Sequence, residues 1–327
     1  MFLLSGTMVV QEAEKTGRVA EIDFVKCVLI VLMIAFHLVF IGDSYPYAKQ
    51  VVYTFHMPGF LVISGYLLNV GKPWRKFLRT MLWIFVPYAV MESGYTAMAA
   101  VLPIREHIDS LTFSLYINKV LLHPLGPYWY LHTLLLCSTV YYGVAHCRHI
   151  GPLGRLVAVA LLYGLLWYIG IVSLPCALYF LGGAAVRLQG VRFTRFFRPS
   201  LWALLPMAIL AFFPVNMDKG SIGGVLFVYL SVCFILGIYR VLQQWGARLL
   251  PTMLFVGRNT LLLLLFSPVF TALAKLWQPM LVGIDRSGMV FLVVSVTVAV
   301  AGSIVIGWVL DKLHLSRFLF GKRRVVG

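Results

Sequence analysis

Charged side chains are in short supply in this chain. They make up 12% of its 327 residues, where soluble domains carry about a quarter, and the shortage excludes an ordinary soluble globular domain. Paired cysteine spacings are missing as well. Cys27, Cys137, Cys147, Cys176 and Cys233 form no CxxC pair, so they read as small side chains, most of them within apolar runs, and not as a redox or zinc framework. The HCRH group at 146–149 has no second ligand set at a suitable spacing, and no metal is expected. The apolar runs do not alternate with polar residues, which disfavours a closed β-barrel. Neither a low-complexity linker nor an internal repeat breaks the chain, which leaves one domain. The opening MFLLSGTMVVQEAEKTG lacks a basic segment ahead of its short apolar piece and contains Gln11, Glu12 and Glu14. It makes a poor signal peptide, and residues 1–20 read as a cytoplasmic extension.

What the chain has in abundance is apolar surface, at 61% hydrophobic residues. A helix needs about 20 apolar residues to cross a hydrocarbon core of roughly 30 Å, and runs of that kind fall near 21–41, 51–70, 80–102, 128–146, 153–170, 172–187, 200–214, 222–240, 251–274 and 288–310. The expected fold is therefore all-α, a polytopic membrane protein with about ten transmembrane helices. Its transmembrane domain spans 21–311, with a basic tail at 312–327. A net charge of +16 would suggest nucleic acid in a soluble chain, but here the basic residues sit in patches between apolar runs. With ten spans, 21 of the 27 Lys and Arg residues fall on the side of the termini; only Lys49, Arg105, Lys119, Lys219, Lys275 and Arg286 fall on the other. The positive-inside rule then makes both termini cytoplasmic. The connection at 103–127 faces outside and is long enough for a short interfacial helix, serving as an acceptor-side mouth or as a simple connector.

The first apolar run carries Asp23, Lys26 and His37 in DFVKCVLIVLMIAFH. On an α-helix Lys26 and His37 lie within roughly 20° of each other, with Asp23 about 40° away, and the rise separates Lys26 from His37 by roughly 16 Å. They form one polar stripe that runs from an interface past the bilayer middle. Asp23 and Lys26 suit either an interfacial ion pair or a functional site. His37 lacks that outlet. It is either a neutral imidazole bonded to a neighbouring helix or a base able to take a proton.

Further blocks follow in order: FHMPGFLVISGYL in the second run, the basic RKFLR followed by VPY, PYWYLHTLL, and GRNTLLLLLF late in the chain. With Asp23, Lys26 and His37 they cover residues 18 to about 268, and the sequence resembles acyltransferase family 3 of membrane proteins. The resemblance implies an integral membrane enzyme of about ten helices that uses cytoplasmic acyl-CoA, usually acetyl-CoA, to acylate a hydroxyl of a glycan or lipid-linked sugar; its expected location is a bacterial inner membrane. It also implies functional roles for the basic residue and His of the first helix and for a basic pair before the third, which are Lys26, His37 and Arg79 with Lys76 or Arg75 here. Members often have Arg at the place of Lys26, and many carry a late His where Ser267 stands.

The chemistry of the residues fits a CoA donor, whose phosphates suit the cations of GKPWRKFLR, although topology alone also explains that loop's charge. His37 would act as general base. Asp23 joins it as a candidate, as does Glu92, which either orients an imidazole or binds an acceptor hydroxyl, or else is a packing group. On the acceptor side stand His56, Ser64, Tyr66, Trp129 and His132, the aromatics having an interface-belt explanation as well. The expected partners are acyl-CoA, a glycan or lipid-linked sugar and membrane lipids, with no nucleic acid. A secondary transporter or exporter of a small polar solute is the alternative; it should show repeat symmetry and paired broken helices. A sensing or scaffolding protein would need no base.

Overall fold

The computed structural model describes residues 19–101, 108–110, 112–147, 149–246 and 248–327. The N-terminal extension, with Lys15 and Arg18, and the loop cations Arg105 and Arg148 lie outside the described residues. Helices α1 (Ala20–His37), α2 (Val39–Ser44) and α3 (Pro46–Leu67) lead into α4 (Trp74–Val101). There follow α5 (Phe113–Leu121), α6 (Trp129–Ala145), α7 (Pro152–Tyr168), α8 (Leu174–Leu188) and the one-turn α9 (Phe193–Phe196). The chain continues through α10 (Leu204–Ala211), α11 (Ile222–Gln244), α12 (Leu250–Arg258), α13 (Thr260–Leu273), α14 (Gln278–Ile284), α15 (Met289–Lys312) and α16 (Ser316–Phe320). No strand occurs among the described residues, and the fold is all-α as the sequence predicts.

Length and composition alone qualify fewer crossings than the apolar runs suggest. Helices α11 and α15 are long and apolar enough to span a bilayer, and α12 with Thr260–Leu276 makes a third if the pair, bent by 87°, is one span. Helix α1 has 18 residues but carries Glu21, Asp23 and Lys26. Helices α7 and α8 and the segment Leu201–Ala211 are apolar and shorter.

Helix α15 shows what solvent the chain is built for. Its buried residues are Phe291, Ser295, Ala299, Ser303 and Gly307, four positions apart, while Val293, Val305 and Trp308 point outward. A helix in water buries its large apolar side chains. In lipid those side chains gain nothing by leaving the hydrocarbon, so small residues take the packed face and let helices approach closely.

The chain forms two compact units. Among the described residues, the first holds the chain up to Phe60, Gly190–Val309 and Val326–Gly327, and the second holds Leu61–Gln189 and Leu310–Val325. In the first unit α1 packs against α11, α12 and α13. It is apolar on nearly every face, with Phe24, Val25, Leu29, Ile30 and Ile34 fully buried, as a central helix must be. The sequence predicts its first helix to run to 41. It stops at His37 instead, because Leu38 takes an extended ψ of 109°, and the chain restarts as α2.

In the second unit α8 meets the end of α3 through paired glycines. A Cβ on Gly65 would strike the Phe180 carbonyl, and one on Gly183 would strike the Val62 carbonyl, so the two backbones cross at a distance that only glycine permits. Tyr163 ties α7 to α6 by donating to the Cys137 carbonyl at 2.8 Å. The Phe77 and Tyr142 rings stack at 3.8 Å, and Tyr142 donates to the Lys72 carbonyl at 2.7 Å. Helix α4 starts at Trp74 and not near 80, so RKFLR forms its first turns. The 103–127 connection contains α5, capped by the Thr112 hydroxyl accepting from Leu115 N–H at 3.2 Å. The stretch after Lys312, read as a basic tail, folds onto α4 through α16. Phe320 is buried there, and Gly321, at φ 64°, lies against the Trp83 ring.

Candidate active site

Two polar groups sit in the first unit at opposite ends of α1. At its start Asp23, buried in an otherwise apolar surround, pairs with Lys26 Nζ at 2.7 Å and lies 3.6 Å from Arg258 Nε. The first contact is a charge-assisted hydrogen bond; the second is an ion-pair distance too long for one. Sequence accounts for the Asp23–Lys26 step, since residues three apart on a helix are neighbours. Arg258 arrives because α12 packs directly on α1: Gly257 lies so close that a Cβ would strike the Asp23 carbonyl. The next residue, Asn259, marks the bend between α12 and α13, where its side chain exchanges hydrogen bonds with the Gly327 backbone at 3.1 and 3.2 Å. The GRN of GRNTLLLLLF thus supplies a close approach, a cation and a corner. Two cations share one carboxylate, which leaves the group with a net positive charge.

At the other end His37 is half-buried. Its Nδ1 lies 2.7 Å from the Met33 carbonyl. A carbonyl only accepts, so in the neutral ring Nδ1 carries the proton and Nε2 keeps the lone pair. Tyr53 of α3 stands beside it, ring centroids 6.0 Å apart, and donates to the Phe36 carbonyl at 3.2 Å. The same tyrosine ring is 5.1 Å from that of His56, which is buried and repeats the pattern, with Nδ1 2.8 Å from the Val52 carbonyl. Lys49 lies over Tyr53 at 5.8 Å from the ring centre. Thr54 fixes this part of α3 by donating to the Met217 carbonyl at 2.8 Å.

The remaining candidates belong to the second unit. Arg75, Lys76 and Arg79 are exposed on the first turns of α4, with the Arg75 guanidinium 5.4 Å from the Trp74 ring. Glu92 is fully buried and accepts from Leu125 N–H at 2.6 Å, which holds the turn that opens α6. Ser64 shares a 2.7 Å hydrogen bond with the Tyr130 hydroxyl, and Arg187 covers the Tyr66 ring at 5.6 Å. His132 is buried, its Nε2 2.9 Å from the Leu121 carbonyl; Trp129, at the start of α6, is half-buried. Among the described residues no group of three or more His, Cys, Asp or Glu side chains stands close enough to hold a metal.

Tyr53 and Arg258 are the two participants the sequence reading did not single out. Each had a signal. Tyr53 precedes His56 by three residues and so shares its helix face, and Arg258 is the one cation in its apolar block between Leu249 and Leu273.

No curated protein and no solved structure matches the chain. A family profile does: the acyltransferase domain of family 3 matches residues 19–308, a range that takes in Asp23, Lys26, His37, His56, the basic start of α4 and Arg258. With most of its length covered, and with the buried charges and apolar helices described above, the chain belongs to acyltransferase family 3, a family of membrane acyltransferases.

Proposed function

We propose that this acyltransferase moves an acyl group, most simply acetyl, from cytoplasmic acyl-CoA to a hydroxyl of a cell-envelope glycan or lipid-linked sugar. On this reading it sits in a bacterial inner membrane with ten spans and both termini in the cytoplasm. The observation that carries the reading is the construction of α1. A cationic group anchored on Asp23 lies at one end, and His37, with an available Nε2, lies about 16 Å further along the same unbroken helix.

Lys26 and Arg258 would meet CoA phosphates at the cytoplasmic end, the side to which the charge distribution also assigns Arg75, Lys76 and Arg79. Arg258 contributes the guanidinium that Lys26 lacks, and Asp23 holds both cations in place. The acceptor oxygen attacks the thioester carbonyl while His37 Nε2 takes its proton. The new C–O bond forms, the C–S bond breaks, and the proton passes to the CoA thiolate. The negative end of the α1 dipole faces the ring as it becomes cationic. His56, Trp129 and His132 are assigned to the acceptor side, with Ser64 and Tyr66 fixing the helices that carry them. Glu92 supports the turn before Trp129.

Transfer from labelled acetyl-CoA in proteoliposomes tests this. His37→Ala should lower kcat by about 10²- to 10⁴-fold; unaltered transfer would discard the base. The bend between α12 and α13 and the break at Leu38 between α1 and α2 favour a transporter, since broken helices line many solute sites. Solute flux without a covalent product would decide for that reading.

A further inference from the structure

Immediately beyond His37 the chain helps to build a pocket. Its volume is about 500 Å³, within the roughly 300–1,000 Å³ typical of small-ligand sites. One wall is Val39, Phe40, Asp43 and Ser44 from α2; the other is Lys275, Gln278 and Pro279 from the turn that opens α14. Both walls rest on one apolar cluster, in which Leu38 and Ile41 pack with Ala274, Leu281 and Phe291. Two struts stiffen it. Trp277 Nε1 donates to the Ser295 hydroxyl at 3.0 Å, and Tyr45 donates to the Ser287 carbonyl at 2.9 Å. Gly288 leaves room for the Phe40 ring, whose Cε1 would lie only 2.5 Å from a Cβ there. The site is therefore held open by packing beneath it.

Its lining is a mixture: one carboxylate, one ammonium, one primary amide, one hydroxyl, a phenyl ring, a valine and a proline. One wall carries Asp43 and the other Lys275, so an anion such as a phosphate would meet a carboxylate as well as an ammonium. A neutral polyhydroxyl ligand would find acceptors and donors for its hydroxyls and an apolar surface for its C–H face. The rim also connects to the reaction group. Asp43 lies 4.0 Å from Lys49, Lys49 covers Tyr53, and Tyr53 flanks His37.

We propose that this α2–α14 pocket is the acceptor subsite and that it takes an uncharged sugar unit, such as a hexose or N-acetylhexosamine, beside the one that is acylated. The inference rests on the acyltransferase reading above and adds where the unit beside the acylated sugar binds and that this unit carries no charge.

The test uses the full-length protein in proteoliposomes, labelled acetyl-CoA, and the oligosaccharide pool released by mild acid from host-cell envelope glycans, separated into neutral and acidic fractions. We expect label to enter the neutral fraction. Gln278→Ala and Asp43→Asn should each raise the apparent KM for that fraction at least tenfold more than they raise the KM for acetyl-CoA. As a second measurement, Ser44→Cys in a Cys147→Ser background should be alkylated from solution and protected by the neutral fraction. Transfer with unshifted acceptor KM and no protection would overturn the pocket while leaving the acyltransferase standing. Label confined to the acidic fraction would overturn the sugar class. No transfer by the wild-type protein under any acceptor would remove the enzymatic reading itself, and this inference with it.

Discussion

At the scale of single residues, Asp23 holds the cationic end of α1 together. Replacing it with Ala would leave Lys26 and Arg258 facing each other without a counter-charge in a largely buried place, and breaking a buried pair from one side costs about 3 kcal/mol or more. Asp23→Ala should therefore lower the unfolding temperature in detergent, and Asp23→Ala with Arg258→Met should recover part of the loss. If the double variant is no more stable than the single one, Asp23 is not balancing Arg258. Arg258→Lys offers a milder probe. It keeps the charge but loses the fork that suits phosphate, so the KM for acyl-CoA should rise severalfold with little change in stability. Tyr53→Phe removes only the hydroxyl donated to the Phe36 carbonyl. If that bond fixes the His37 ring, kcat should fall by about three- to tenfold, the effect of losing roughly 1 kcal/mol of positioning, and the acyl-CoA KM should hold.

At the scale of elements, the crossing of α3 and α8 gives a clean comparison. Gly183 touches the Val62 backbone, whereas its neighbour Gly182 has nothing within 4 Å of a built Cβ. Gly183→Ala should destabilise by about 1–3 kcal/mol through overpacking. Gly182→Ala should be neutral or slightly stabilising, because alanine is the better helix former by about 1 kcal/mol. Thermal unfolding of the two variants side by side reads the difference, and equal behaviour would mean that the helices do not cross at these glycines. Apolar patterning reports where a helix is greasy, so from sequence the first helix extends across the extended Leu38 and the third begins only after its charged turns. A backbone break at Leu38 has no proline or glycine to announce it; it arises where α2 packs on Ala274 and Phe291.

At the scale of the whole molecule, the threading of the helices through the bilayer sets which side chains a reagent can reach from outside. On the proposed topology Asp43 faces outside and Lys76 inside. In a Cys147→Ser background, Asp43→Cys should react with an impermeant thiol reagent added to intact cells, and Lys76→Cys should react only after permeabilisation. The reverse pattern would overturn the orientation, and labelling of both from outside would overturn the span count.

The amino-acid sequence by itself determined the class, the all-helical architecture, the family, and the pairing of Asp23 with Lys26. Each of these depends on local composition or on spacing within one helix, where geometry follows from residue number alone. It also marked His37, because an imidazole in an apolar run is costly enough to stand out. Only the tertiary structure decided that Arg258, 235 positions further along the chain, shares Asp23, that Tyr53 stands between His37 and His56, and that α1 ends at the histidine. Those facts depend on which helices pack together and on how small residues such as Gly257 let them approach. A charge in an apolar run says that a partner is needed; the fold chooses the partner.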